Sequence, residues 1–138
     1  MTILDTNVVS EMMRFEPSAI VDGWMAAQPA GELLITSITR AEILYGIEVM
    51  PHGKRRESLE QAAGRLYETF EGRILPFDSD AAPYYAEIVA SRRRSGRPIG
   101  QSDAQIAAIA LSRGYALATR NAEDFAGCGV KLINPWAG

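Results

Sequence analysis

Cysteine and histidine are almost missing from this chain: each occurs once in 138 residues, as Cys128 and His52. A single Cys excludes an internal disulfide framework and a multi-Cys zinc site. It fits a reducing compartment. Cys128 lies in Gly127-Cys128-Gly129 and His52 in a Pro-Gly break, so each reads as structural or incidental rather than as a nucleophile. Long apolar runs are also absent, and none approaches the roughly 20 residues that span a bilayer. Asp5 sits where a signal peptide would carry its apolar stretch. The expectation is a soluble, cytoplasmic protein. Positive charge is not in excess either: 14 basic side chains face 17 acidic ones, for a net charge of −3. A nucleic-acid partner would therefore need local basic patches, or metal ions, to hold its phosphates.

What is present suffices for a core. Hydrophobic residues make up 47% and charged residues 22%, which excludes a disordered chain. The length fits one domain over residues 1–138, at roughly 100–200 residues per domain. No repeat, linker or low-complexity tract divides it.

Short apolar runs alternate with helical patterns. Strands are predicted over 2–5, 33–37, 73–76, 116–119 and 131–133. Asp5-Thr6-Asn7 reads as a turn or helix cap before a short helix through about Arg14, and helices are predicted from Pro17 to about Ala27 and from Thr39 to about Met50. Thr39 would be the cap of the third, with Glu42 completing a capping box. Further helices are predicted over 54–70, from about Asp80 to Arg94 behind Asp78 or Ser79, and over 103–113 behind Ser102, with Gly114 as the stop. A short turn is predicted over 122–125. This order is that of a three-layer α/β domain, a parallel sheet covered on both faces.

Open parallel sheets bind ligands at the carboxyl ends of their strands. The first strand ends in Asp5, an acid hard to explain by solvation. Glu42 and Asp103 lie in the helices near two other strand ends. Asp124 follows the strand at 116–119, with Asn121 between. An acid in a first helical turn is often only a dipole partner. Four acids gathered at one edge would instead repel one another and need a cation. Oxygen ligands without His or Cys suit Mg2+ or Mn2+, and metal-assisted phosphodiester cleavage is the matching reaction class.

Four stretches carry a family likeness: Leu4-Asp5-Thr6-Asn7, Ser37-Ile38-Thr39-Arg40-Ala41-Glu42-Ile43, Ser102-Asp103-Ala104-Gln105-Ile106-Ala107-Ala108 and Ala118-Thr119-Arg120-Asn121-Ala122-Glu123-Asp124-Phe125. With Asn134-Pro135-Trp136, they resemble PIN-domain ribonucleases of the VapC toxin class, in the FitB-like branch. The resemblance implies a twisted parallel sheet of about five strands flanked by helices. It implies Mg2+- or Mn2+-dependent endonucleolytic cleavage of RNA. It implies that Asp5 and Asp103 are the main metal ligands and that Glu42 binds metal directly or through water. The fourth acidic place varies in the family. Here Asn121 stands where some relatives carry Asp, and Asp124 three residues later is the candidate in its stead. Thr6, Asn7 and Thr119 are candidates to orient Asp5 or contact phosphate. The implied partners are a small antitoxin, a second copy in a homodimer, and operator DNA reached only through the antitoxin.

Arg92, Arg93, Arg94 and Arg97 are candidate RNA contacts, against the plainer reading of cations at a helix C-terminus. Trp24, Tyr84, Tyr85 and Trp136 could stack on bases or simply pack. Two rival functions remain. One is a weakened PIN domain that serves mainly as the antitoxin's partner in a repressor complex. The other is a phosphotransfer enzyme using Asp5 as nucleophile, although Asp5-Thr6-Asn7 lacks the second Asp of haloacid-dehalogenase-type enzymes.

Overall fold

The computed structural model describes residues 1–137. Strand β1 (Thr2–Leu4) leads directly into α1 (Thr6–Met12), because Asp5 caps that helix by accepting the Thr6 amide at 2.8 Å. After α2 (Ala19–Ala27) comes β2 (Leu33–Thr36), which turns at once into α3 (Ser37–Glu48). Then follow α4 (Lys54–Thr69), β3 (Ile74–Leu75), α5 (Ala82–Arg94), α6 (Gln101–Arg113), β4 (Ala116–Ala118) and β5 (Leu132–Ile133). A 3-10 turn over Ala122–Phe125 joins the last two strands. Among the described residues no helix is long and apolar enough to cross a membrane.

The strands form one parallel sheet in the order β3-β2-β1-β4-β5. Ile3 stands opposite Leu34 on one side and Leu117 on the other. These three share a face and pack under α5 and α6, with Ile88, Ile106 and Ile109. Leu4, Ile35 and Ala118 point to the opposite face and meet Val8, Val9, Ile43, Leu66 and Phe70 from α1, α3 and α4. Alternation along each strand thus builds two cores around one sheet, as the α/β reading requires.

The caps of three helices differ from those predicted. The cap of α3 is Thr36, whose hydroxyl accepts the Thr39 amide at 3.2 Å. Thr39 is buried inside the helix, so the Thr39–Glu42 capping box does not form and Glu42 lies in the second turn. Helix α6 starts at Gln101 behind Gly100, with no side-chain cap, so Ser102 is inside it. Helix α5 starts at Ala82 behind Ala81 with no side-chain cap, so neither Asp78 nor Ser79 caps it; Asp78 accepts the Ala81 amide at 3.1 Å in the turn before it. Gly114 ends α6 at φ +70°, a left-handed conformation that favours glycine.

Candidate functional site

The chain leaves β1 toward β2 and leaves β4 toward β5, in opposite directions across the sheet. The carboxyl ends of β1 and β4 therefore bound the crevice of an open α/β sheet, where ligands bind. Asp5 follows β1, and Thr119 follows β4. A cleft of about 510 Å3 opens there, and Asp5, Glu42, Asp103, Asp124, Thr6, Asn7 and Asn121 all line it. The fold has brought the four acids to one place from four separate elements.

Asp5 is the buried member, 5% exposed. Its Oδ1 accepts the Thr6 amide, and its Oδ2 accepts the Thr119 hydroxyl at 2.8 Å. Thr119 is buried and fully used. It donates its one proton to Asp5 and accepts from Asn7 Nδ2 at 3.2 Å and from the Asn121 amide at 3.1 Å. The other end of the Asn7 side chain accepts the Arg120 amide at 3.2 Å. Asn7 thus stitches the start of α1 to the segment after β4.

Glu42 is held differently. Thr6 donates its hydroxyl to Glu42 Oε1 at 2.7 Å. Having spent its only proton, Thr6 must accept at its 2.9 Å contact with Thr39 Oγ1. A short relay, Thr39 to Thr6 to Glu42, sets the carboxylate of an otherwise exposed side chain. Asp103 lies in the first turn of α6, half-buried. Asp124 is exposed on the 3-10 turn, and Asn121 is exposed before it.

The electrostatics record the crowding. Burial pushes the Asp5 carboxyl up; the Thr119 and Thr6 hydrogen bonds oppose this, and the charges of Glu42 and Asp124 add to it. Asp103 is pushed up to about 6, first by burial, then by Asp5, Asp124 and Glu42, with Arg92 pulling it down. Such a site favours a cation, since opposite charge at hand favours the ionised carboxylates. Among the described residues no group of three or more acidic, His or Cys side chains forms a ready-made ion cage. The acids instead line an open cleft. That suits Mg2+ or Mn2+, which can keep several waters and bind through one or two carboxylates. The donor set of this cleft therefore fits such an ion.

The basic cluster requires correction. Arg92 is 8% exposed. Its Nε donates to the Arg97 carbonyl at 2.7 Å, and its Nη1 donates to the carbonyls of Asp124 and Ala126 at 2.9 and 3.1 Å. It is a buried clamp that fixes the Asp124 turn against the end of α5, not a surface contact for phosphate. Arg93, Arg94 and Arg97 are exposed but do not line the cleft. The cations that do line it are Arg14 and Arg120. Neither stood out in the sequence beyond its charge. Glu11, also unanticipated, is buried at the same cleft and accepts from Arg14 and from the Ser18 amide.

The remaining candidates sort by packing. Tyr85 meets Phe77 edge-on at 5.6 Å between ring centroids. Trp24 and Trp136 pack on the Leu4 face of the sheet, but Trp136 also lines the cleft. Cys128 is buried near Arg92, and His52 is exposed after α3, so neither is placed as a nucleophile of this cleft.

Comparison with known proteins agrees with this fold. Residues 2–127 match the family described as PIN domain. The chain is 42% identical over 137 residues to VapC ribonuclease Y4jK of Sinorhizobium fredii, covering 99% of this chain and 98% of that one. The FitAcB crystal structure from Neisseria gonorrhoeae superposes with a TM-score of 0.90 at 34% identity, over 99% of both chains. DNA-bound VapBC from Salmonella typhimurium superposes with a TM-score of 0.82 at 27% identity, over 97% of both.

Proposed function

Since the chain belongs to the PIN-domain family and is a VapC-type toxin, we propose that it is a Mg2+- or Mn2+-dependent endoribonuclease, formed as one PIN domain over residues 1–138 and working in the cytoplasm. The observation that carries this reading is the convergence of Asp5, Glu42, Asp103 and Asp124 on one cleft between β1 and β4.

Asp5 and Asp103 would hold the cation, with Glu42 binding it directly or through water. Asp124 would complete the site, with Asn121 offering only a neutral carbonyl oxygen. When bound, the cation supplies the charge that acidifies a water and neutralises the phosphate under attack. The chain's own part is placement. Thr119 and the Thr6 amide fix the Asp5 carboxylate. The Thr39–Thr6 relay fixes Glu42. Asn7 holds the two strand exits together. In this reading no protein nucleophile is needed.

The partner implied by the VapC class is a small antitoxin. An Arg side chain from it would suit the acid cleft through charge-assisted hydrogen bonds. The toxin would act as a homodimer and would reach operator DNA only through the antitoxin, a role in keeping with the DNA-bound VapBC neighbour.

The test is cleavage of total cellular RNA by purified, antitoxin-free protein with Mg2+, with Mn2+ and with chelator, beside Asp5→Asn. Metal-dependent cuts that vanish in the variant support the reading. A folded protein that cuts nothing and binds no Mn2+ by calorimetry would overturn it. The role of antitoxin partner without catalysis would then take its place.

A further inference from the structure

The cleft presents a polyanion with a difficulty: its lining includes five acids, Asp5, Glu11, Glu42, Asp103 and Asp124. A cation at the reacting phosphate neutralises only that one group. The neighbouring phosphates of a single strand need their own positive charge. Of the two arginines at the cleft, Arg14 is committed to Glu11 at 3.3 Å. Arg120 forms no ion pair among the described residues.

Arg120 is nevertheless well placed. Its amide is bound by Asn7 Oδ1, and the next amide by the Thr119 hydroxyl, so its backbone is tied to the same groups that hold Asp5. Its exposed guanidinium carbon stands 5.0 Å from the centre of the Trp136 ring. Trp136 is itself anchored. Its amide donates to Asn134 Oδ1 at 2.9 Å, Pro135 beside it is buried, and the indole packs against the core that holds Leu4 and Ala118. The ring face attracts the cation. It thereby keeps the side chain from folding onto the nearby carboxylates, where it would neutralise an acid the site needs.

We propose that Arg120 is the phosphate anchor of the cleft and grips a backbone phosphate of single-stranded RNA beside the one that is cut, with Trp136 as its positioning residue. The guanidinium fork matches two phosphate oxygens at once, which a lysine cannot do. The proposal rests on the ribonuclease reading and adds to it the residues that hold the strand.

The test is fluorescence anisotropy of a short, labelled, mixed-sequence RNA with Asp103→Asn protein, measured over a range of KCl concentrations. Arg120→Ala, Arg120→Lys, Trp136→Phe and Trp136→Leu are each added to that background, and circular dichroism confirms the fold. Arg120→Ala is expected to weaken binding several-fold and to reduce the slope of log affinity against log salt by about 0.7, one phosphate contact on a single strand. Arg120→Lys should keep the slope and lose part of the affinity. Trp136→Leu should reproduce the Arg120→Ala loss and add little on top of it, and Trp136→Phe should fall between. An unchanged slope in Arg120→Ala, with the parent binding RNA, would overturn the anchor. Additive losses from Trp136→Leu and Arg120→Ala would overturn the positioning role. If the parent binds no RNA and the unaltered protein cuts none, the ribonuclease reading fails and takes this proposal with it.

Discussion

The Thr119 hydroxyl donates to Asp5 Oδ2 at 2.8 Å, joining the exits of β1 and β4 at the crevice of the sheet. Every hydrogen-bonding capacity of that hydroxyl is used, because it also accepts from Asn7 and from the Asn121 amide. One buried oxygen therefore sets the position of the buried Asp5 carboxylate and of the loop that carries Asn121.

Thr119→Val keeps the shape and removes these bonds. It is expected to destabilise the protein by about 1–3 kcal/mol, because it leaves buried polar groups without partners. RNA cleavage should fall roughly 10–100-fold, as for groups that orient a metal ligand. Thr119→Ser should restore most of both. Thermal unfolding and cleavage rates check this, and equal activity in Thr119→Val and the parent would show that Asp5 needs no such support.

The raised Asp103 carboxyl predicts a particular pH dependence for the metal-free protein. In the fold this acid titrates near pH 6, against 3.8 for the unperturbed group. Between those values the folded state binds the proton more tightly than the unfolded chain, so stability falls as pH rises. Above about 6 the penalty is complete. Asp5 is shifted in the same direction. In chelator, Asp103→Asn should exceed the parent in Tm most clearly above pH 6 and lose its advantage toward pH 4, across the window set by the 3.8 and 6 values. Parallel Tm profiles for the two proteins would contradict it. Mn2+ affinity should weaken as pH falls through the same range, because protons compete for the ligands.

The sequence made the strands and their terminal acids legible for one reason. Buried parallel strands read as short apolar runs, and an acid closing such a run has no solvation to explain it. Asp5 is legible in this way; Glu42, Asp103 and Asp124 lie in helices or a turn, where an acid is often only a dipole partner, and it is their place in the four family-like stretches that marks them before the structure brings all four to one cleft. Capping was less legible. Thr36 and Thr39 are both good caps by type, and only the point where β2 ends selects Thr36. The arginines were least legible. Arg92 and Arg93 are adjacent and chemically identical, yet one is a buried clamp and the other faces solvent. Arg120 meets Trp136 only after β5 returns the chain to the sheet edge.

Asp124 and Asn121 divide the fourth place in the site, and substitution should reveal which serves. Asp124→Asn is expected to weaken Mn2+ binding and cleavage together, whereas Asn121→Ala should change Mn2+ affinity little, since a neutral amide oxygen contributes no charge. Asn121→Asp should tighten Mn2+ binding and partly rescue Asp124→Asn. Calorimetry with Mn2+ decides the matter; a silent Asp124→Asn would leave Asp5, Glu42 and Asp103 as the complete set of acids.

Arg92 separates stability from surface charge within one run of arginines. Its guanidinium satisfies the carbonyls of Arg97, Asp124 and Ala126, and no carboxylate pairs with it among the described salt bridges. Arg92→Met retains much of the buried stem but orphans three carbonyls. The expected cost is on the order of 3 kcal/mol, from lost bonds to a charged donor and acceptors left unpaired. Lysine has a point charge without the fork, so Arg92→Lys should recover only part of that loss. Arg93→Ala and Arg94→Ala, on exposed side chains, should stay within about 0.5 kcal/mol of the parent. Denaturant unfolding measures all four. The Asp124 turn hangs on the same clamp, so Arg92→Met should also loosen Mn2+ binding in protein that remains folded. That second effect should shrink in an Asp124→Asn background, because the acid whose turn the clamp holds would already be gone; what remains reflects the lost Arg92 charge that favours the ionised Asp103.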